Sequence, residues 1–381
     1  MGTTVRPVAT GREMKQFIDL PYRLYDRHPF WIPPLRLDQK EILDRRKHPF
    51  YLQAEAEFFL AERDGRVVGR IAAIDNHAYN RHYQARTGFF GFFETENDAA
   101  TATALLEQAA AWCAARGLDR IQGPVNPSTN YECGLLVEGF DRHPVLMMPY
   151  NYEFYPRFIE AAGFAKAKDL LAYWMTDREL PMAKLNAIAT KVTRKTGLTI
   201  RELRLNRIRE ELELVFKVYN DAWNPNWGFV PMSREELSAL AKNLTWVCDP
   251  RIILLAEVEG KPVGFLLAMP ELNQVLRGTG GRLLPFGWWK LLRARRRLSV
   301  MRVLALGLCQ DYQNMGFTAA IYREITTKGS SIGYHYGEIG WVLEDNLMMN
   351  RAADMLGARA YKRYRIYERA LLPEAGTARS T

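Results

Sequence analysis

The feature that most constrains this chain is that part of it occurs twice. Phe58 to Ile74 (FFLAERDGRVVGRIAAI) laid over Ile253 to Met269 (ILLAEVEGKPVGFLLAM) gives seven identities in seventeen ungapped positions, at an offset of 195. Each copy is an apolar run, an acid–glycine pair (Asp64-Gly65 or Glu259-Gly260) and a second apolar run, the pattern of a hairpin with a tight turn. At an offset of 194, Gly163, Lys168 and Tyr173 fall on Gly357, Lys362 and Tyr367, each set covering a helix end and the strand after it. A chain of 381 residues built this way is expected to hold two domains of one fold.

Between those anchors each half carries a helical stretch. Asp98 to Arg116 has Asp98 as a cap, Ala and Leu at helical spacing, and Gly117 as the stop; its counterpart runs from Gly316 to about Lys328, stopped by Gly329. Pro181 to Thr196 reads as a helix that also carries the linker, and Gly197 starts the second half. The boundary is expected near residue 180, giving domains 1–180 and 181–381, the second with an insert over 272–302.

Composition excludes several classes. With 48% hydrophobic and 25% charged residues the chain can fill substantial cores. No run approaches the ~18–20 apolar residues of a membrane-spanning helix, and Met1 to Thr10 has no signal-peptide core, so a cytoplasmic chain is expected. Cys113, Cys133, Cys248 and Cys309 lie far apart without a CxxC pair and read as buried thiols. The histidines show no HExxH, and no metal is expected. Gly329-Ser330-Ser331-Ile332-Gly333 matches G-x-S-x-G, but a helix ends and a strand begins there, the reverse of a nucleophile elbow.

The net charge of +9 is unevenly spread: Leu272 to Gln310 holds eight basic residues and no acid. Within it, Gly278 to Arg297 (GTGGRLLPFGWWKLLRARRR) interleaves aromatic and aliphatic residues with cations, a composition suited to an anionic membrane surface. A packed lid, or a clamp in which Arg295 to Arg297 hold a nucleotide phosphate, fits the same residues. Nucleic acid is a poorer account, because no reading motif accompanies the patch.

The order strand, helix, hairpin, strand, helix, strand, helix, strand from Thr199 to Leu371 resembles the GCN5-related N-acetyltransferase (GNAT) fold. In that family a strand is followed by Gln or Arg, two residues, Gly, one residue, and Gly or Ala. Here Gln313-Asn314-Met315-Gly316-Phe317-Thr318 matches except at Thr318. A glycine at a helix entrance lets backbone N–H groups approach a pyrophosphate, which the positive helix end favours. The resemblance implies an α/β fold of α+β type with mixed sheets, two tandem GNAT-like domains, and acyl-coenzyme A (acyl-CoA) as co-substrate. In the first half the matching strand runs into Glu94-Thr95-Glu96-Asn97-Asp98, whose carboxylates would repel a pyrophosphate, so that half is read as a degenerate copy on the acceptor side.

The resemblance also implies site residues. Leu306, Gly307 and Leu308 match the positions whose backbone holds pantetheine and the thioester oxygen, and Glu338 is the candidate base that takes the amine proton; a solvated strand carboxylate is the competing reading. The family's usual tyrosine acid falls on Ala353, leaving Tyr364 or Tyr367 as substitutes or as packing residues. Asn346 reads equally as a helix cap and as a pantetheine or acceptor contact. In the first half, Asn126, Asn130, Tyr131 and Glu132 bunch in a Pro-containing stretch that either reads an amino-alcohol head group or forms an Asn-rich turn held by its own side chains.

The runs Tyr219 to Pro231 and Gly123 to Glu132 are similar to a bacterial subgroup of tandem-fold acyltransferases that contains the bacterial ceramide synthases. That similarity implies a long-chain acyl donor and a sphingoid-type amine. A transferase of the same fold for a soluble amine or aminoacyl-tRNA, and a non-catalytic protein peripheral on the inner face of the membrane, are the alternatives.

Overall fold

The computed structural model describes residues 2–371 apart from 224–225, 232, 237, 240–247, 283–286, 288, 290–292 and 294–296. In chain order the elements used below are β1 (Thr4–Pro7), α1 (Gly11–Leu24), β2 (Ala54–Arg63), β3 (Arg66–Asn76), β4 (Thr87–Thr95), α2 (Ala99–Ala114), β5 (Arg120–Gly123), β6 (Val125–Asn126), β7 (Glu132–Cys133), β8 (Leu135–Glu138), α3 (Tyr155–Ala161) and β9 (Ala165–Thr176). There follow α4 (Met182–Thr196), β10 (Thr199–Glu202), α5 (Ile208–Trp223), β11 (Ile253–Val258), β12 (Lys261–Pro270), β13 (Val300–Leu308), α6 (Phe317–Ser331), β14 (Tyr336–Leu343), α7 (Leu347–Met355) and β15 (Arg359–Ala370).

Both copies of the repeat are hairpins. Their turns have positive φ at both central residues (Asp64 51°, Gly65 73°; Glu259 52°, Gly260 73°), which matches the right-handed twist of the flanking strands. The register slips at the same place in each copy, between Ala61 and Glu62 and between Ala256 and Glu257. The shared sequence therefore encodes a shared irregularity as well as shared strands.

Each of two compact units is built on the same mixed sheet. In the first the order is β1-β2-β3-β4-β5-β15; in the second it is β10-β11-β12-β13-β14-β9. The only parallel neighbours in these two series are β4 with β5 and β13 with β14. The closing strand of each unit comes from the other half of the sequence: β9 runs antiparallel to β14, and β15 antiparallel to β5. The units accordingly comprise Met1–Asp169 with stretches beginning at Leu276 and Arg363, and Leu170–Val275 with a later stretch ending at Lys362. A cut near residue 180 falls at the entrance of α4, but β9 and β15 each pair across it. An apolar strand pattern is the same whichever sheet it closes, so the exchange leaves no local trace.

The helices follow their apolar spacing. In α2, Ala102, Leu105, Leu106, Ala109, Ala110 and Cys113 form one buried stripe, and Asp98 caps the first turn by accepting from the Thr101 amide at 3.3 Å. Small residues let this helix lie close: a Cβ at Gly88 would strike the Cys113 side chain. In the second unit α6 buries Phe317, Ile321, Tyr322 and Ile325. It does not stop at Gly329 as expected. That glycine is a buried packing position, 3.2 Å from Met301 Cε were it to carry a Cβ, and the left-handed residue after the helix is Gly333, φ 102°. Cys113, Cys133 and Cys248 are buried thiols and Cys309 is half-buried.

Candidate active site

Parallel pairing of β13 with β14 begins at Val300–Tyr336 and ends at Val303–Ile339. Beyond that rung β13 runs on to Leu308, held only on its other side by β12, and the β12–β13 register slips between Leu267 and Ala268. A bulge of this kind bends the strand and breaks its pairing. The register of β14 against β9 slips too, between Ile339 and Val342. The two strands thus part into a fork whose upper β13 side is Leu304 to Leu308. Leu306 is half-buried, whereas Gly307 and Leu308 are buried.

At the end of β13 the chain passes through a 3-10 turn, Gln310–Tyr312, into the glycine-containing loop. Gln313 turns back and donates to the Leu308 carbonyl at 3.3 Å; Asn314 (φ 61°) and Gly316 (φ 87°) are left-handed. Gly316 is the N-cap of α6 and supplies no side-chain acceptor. Its absent Cβ would lie 3.0 Å from both Ile188 and Val192 of α4, so a glycine is needed here for the backbone angle and for helix packing alike. Asn314 and Met315 are exposed, Thr318 is half-buried and Phe317 is buried. The first-turn amides of α6 have no intrahelical acceptor and no cap, the arrangement that suits an anion.

Glu338 lies at the root of the fork, directly across from Arg302 in the register. Its side chain is fully buried, which overturns the solvated-carboxylate reading, and Arg302 Nε stands 3.3 Å from its Oε2. Burial pushes the carboxyl up to about 7, opposed by Arg302 and Lys362 and reinforced by Glu271. A Cβ at 340 would overlap Glu338 Oε1, so a larger residue there would displace the carboxylate. Arg302 also donates from Nη2 to the Gly340 carbonyl at 3.0 Å. Arg302, Glu271 and Lys362 were missed from the sequence, although a lone cation inside VMRVLALGL is the signal of a buried pair.

The matching place in the first unit is closed. Pairing of β4 with β5 stops at Phe89–Gln122, and the chain then leaves the ladder, forms the β6–β7 hairpin and rejoins β15 as β8. Pro124 and Pro127 have no amide to donate, which explains why β5 cannot continue. The hairpin fills the gap: the Phe92 amide donates to Asn126 Oδ1 at 2.6 Å, and a Cβ at Gly91 would overlap the Val125 carbonyl. The helix entrance is closed as well. Asp98 caps α2 and pairs with Arg63 at 2.7 Å, and Glu96 pairs with Arg63 and Arg66. Glu94 accepts from the hydroxyls of Tyr25 and Tyr155, both at 2.8 Å.

Comparison with known proteins agrees with this geometry. No family model matches. Among curated proteins, the bacterial ceramide synthase of Caulobacter vibrioides is 36% identical over 375 residues, 97% of each chain. Protein YghO of Escherichia coli is 33% identical over 372 residues, covering 96% of this chain and 95% of its own. The chain belongs to the tandem GNAT acyltransferases. Among solved structures, a tandem GNAT protein from the clavulanic acid biosynthesis pathway shares the fold at 13% identity, with a TM-score of 0.58 over 97% of this chain and 99% of its own. A GCN5-related N-acetyltransferase from Sphaerobacter thermophilus gives 0.54 at 13% identity, over 97% and 96%. As a tandem GNAT enzyme this protein is an N-acyltransferase, and the fold implies acyl-CoA or acetyl-CoA as co-substrate. The residues present fit such a molecule in the second unit, where the fork is unpaired and α6 is uncapped.

The remaining candidates of this tandem GNAT chain are placed as follows. Asn346 caps α7, accepting from the Met349 amide at 3.1 Å; Asn350, unforeseen, ties the helix to the end of β14 through the carbonyls of Leu343 and Glu344. Tyr364 and Tyr367 are buried residues of the first unit, and Tyr367 donates to Glu160 Oε1 at 3.0 Å within that unit's core. Asn130 and Tyr131 belong to a turn in which their amides donate to the Ser128 hydroxyl and carbonyl, and Glu132 pairs with Asn126 in the hairpin. The Asn-rich stretch therefore holds itself together. Ser330 donates to Asp177, which His335 also contacts, a turn clasp rather than a nucleophile. Among the described residues no group of His, Cys, Asp and Glu is arranged to hold a metal, and no helix is long and apolar enough to cross a membrane.

Proposed function

We propose that the second unit binds a long-chain acyl-CoA in the β13–β14 fork and transfers the acyl group to a sphingoid-type lipid amine. The observation that carries this reading is the contrast between the two forks: one is filled by the chain's own hairpin, the other opens above a buried carboxylate. The backbone of Leu306, Gly307 and Leu308 on the side facing β14, where the parallel ladder has ended, holds the pantetheine arm. The loop Gln313 to Thr318, with the first-turn amides of α6, holds the pyrophosphate. Glu338 takes the proton that the amine loses as its nitrogen bonds to the thioester carbon and the C–S bond breaks. A pKa near 7 suits that task, since it keeps a useful fraction ionised without making the base weak. Preference for a lipid amine is supported by the likeness to the Caulobacter protein, which covers nearly the whole of both chains.

Contact with an anionic membrane is assigned to residues 278–297. Most of the side chains behind that assignment, and Arg295 and Arg296 of the phosphate-clamp alternative, lie outside the described residues; Trp289 is 56% exposed. The beginning of the stretch is anchored within the first unit, where the Gly281 carbonyl accepts from the Arg36 amide at 3.0 Å.

A thermal-shift series over acyl-CoA chain lengths tests the proposal. A ligand at ~100 times its dissociation constant stabilises by about 2.7 kcal/mol, so preference is read directly from the shift. The expected result is a larger shift with palmitoyl-CoA than with acetyl-CoA, and amide product with sphinganine. Acetyl preference would favour a soluble amine, and no shift at any length would remove the coenzyme site.

A further inference from the structure

The charged groups beneath the fork form an arrangement that general-base catalysis alone does not require. Arg302 is 3% exposed, Lys362 2%, Glu271 4% and Glu338 0%: two cations and two carboxylates buried together. Burying a guanidinium is expensive unless ion pairing and hydrogen bonds offset the loss of water. Arg302 serves two partners on one strand, the Glu338 carboxylate through Nε and the Gly340 carbonyl through Nη2. Gly340 is the first residue of β14 beyond the last rung shared with β13. The guanidinium thus supplies a donor to a buried carbonyl just where the parallel ladder ends.

We propose that Arg302 is the positioning residue of the fork: its guanidinium caps the Gly340 carbonyl where the ladder ends, allowing β14 to part from β13, and fixes Glu338 at the root of the opening. The two tasks suit the planar head of arginine, which places its charge beside Glu338 while Nη2 reaches the Gly340 carbonyl from a fixed spacing that a compact ammonium does not share. Gly340 is the complementary half of the device, its missing side chain leaving the space that the carboxylate occupies. The charges acting on Glu338 come from three elements: Arg302 on β13, Glu271 just after β12, and Lys362 on β15. Trp174 of β9 stands opposite Glu338 in the register and adds no charge.

The proposal rests on the reading of Glu338 as the base, so its test is read on the carboxyl group itself. The full chain is labelled with side-chain-carboxyl 13C glutamate, the Glu338 signal is assigned by its loss in E338Q, and its titration is followed by NMR in wild type, R302Q and R302K. Removing an opposite charge within a few ångströms is expected to raise the midpoint in R302Q by at least about one pH unit. R302K, which keeps a charge but not the extended planar geometry of the guanidinium, is expected to fall between the two. A midpoint in R302Q that coincides with wild type overturns the proposal. If R302Q does not fold, R302K decides: coincidence with wild type there overturns it equally. The pH dependence of kcat/KM separates this from the base assignment. An acid limb that survives in E338Q removes Glu338 as the base, while the NMR midpoints still decide the role of Arg302.

Discussion

The Phe92 amide donates to the Asn126 side chain at 2.6 Å, so the gap left where β4 and β5 stop pairing is closed by the first unit's own hairpin. The same fold, used twice, is thereby sealed once. The seal is made of backbone and an uncharged side chain, and the adjoining helix entrance is neutralised by Asp98. One acyl-CoA per chain is the expected stoichiometry, checked by isothermal titration; two equal sites would refute the sealing.

Asn126→Ala leaves the Phe92 amide without its acceptor. Orphaning a buried donor costs about 1–3 kcal/mol, which urea unfolding should register. Acyl-CoA affinity should stay within about twofold, because in the proposed reading the coenzyme binds the other unit.

Gly316→Val forces a β-branched residue to φ 87° and pushes a side chain against Ile188 and Val192. A stability loss of roughly 1–3 kcal/mol is expected. The acyl-CoA-induced thermal shift should disappear from the protein that remains folded. Persistence of the full shift would mean that the loop does not hold the pyrophosphate.

The buried Glu338 gives a pH signature in stability. Its folded carboxyl is raised to about 7 from 4.5, so between those values the folded state holds a proton that the unfolded state has released. Stability from this group is therefore present at low pH and falls as pH rises through 7, by at most about 3 kcal/mol for a shift of this size. The difference in unfolding free energy between wild type and E338Q, measured in urea at pH 5 and pH 8, isolates it. Wild type should lose ground to the variant as pH rises; an opposite sign would show that Arg302 outweighs desolvation.

Tyr367→Phe tests whether that tyrosine protonates the leaving thiolate. Its hydroxyl donates to Glu160 in the core of the first unit, and burial raises its pKa well above the ordinary tyrosine value. A cost of about 1 kcal/mol in stability with kcat within twofold of wild type is expected. A tenfold fall in kcat would restore it as the acid.

Much of this was legible in the sequence because it is local. The acid–glycine pairs set the two hairpin turns, Asp98 and Asn346 cap their helices, and Gly316 stands where a positive φ is required. The misplaced stop at Gly329 shows the limit of that reading: a glycine there serves contact with Met301, and composition cannot distinguish packing from termination. Residue type leaves Asn126 open to a head-group contact or to a turn held by its own side chains, and neither reading points to its acceptor role toward an amide 34 residues away in the chain.

The sequence by itself determined that one fold occurs twice, that its strands and helices follow a fixed order, and that the second copy keeps a glycine loop where the first has carboxylates. Those properties reside in periodicity, turn chemistry and caps, which need only near neighbours. Tertiary structure alone decided that β9 and β15 are exchanged, that one fork is plugged while the other parts, and that Arg302 and Glu338 share a buried pair. Each of these depends on which distant strand lies alongside, and the same alternation of side chains serves several partners equally well.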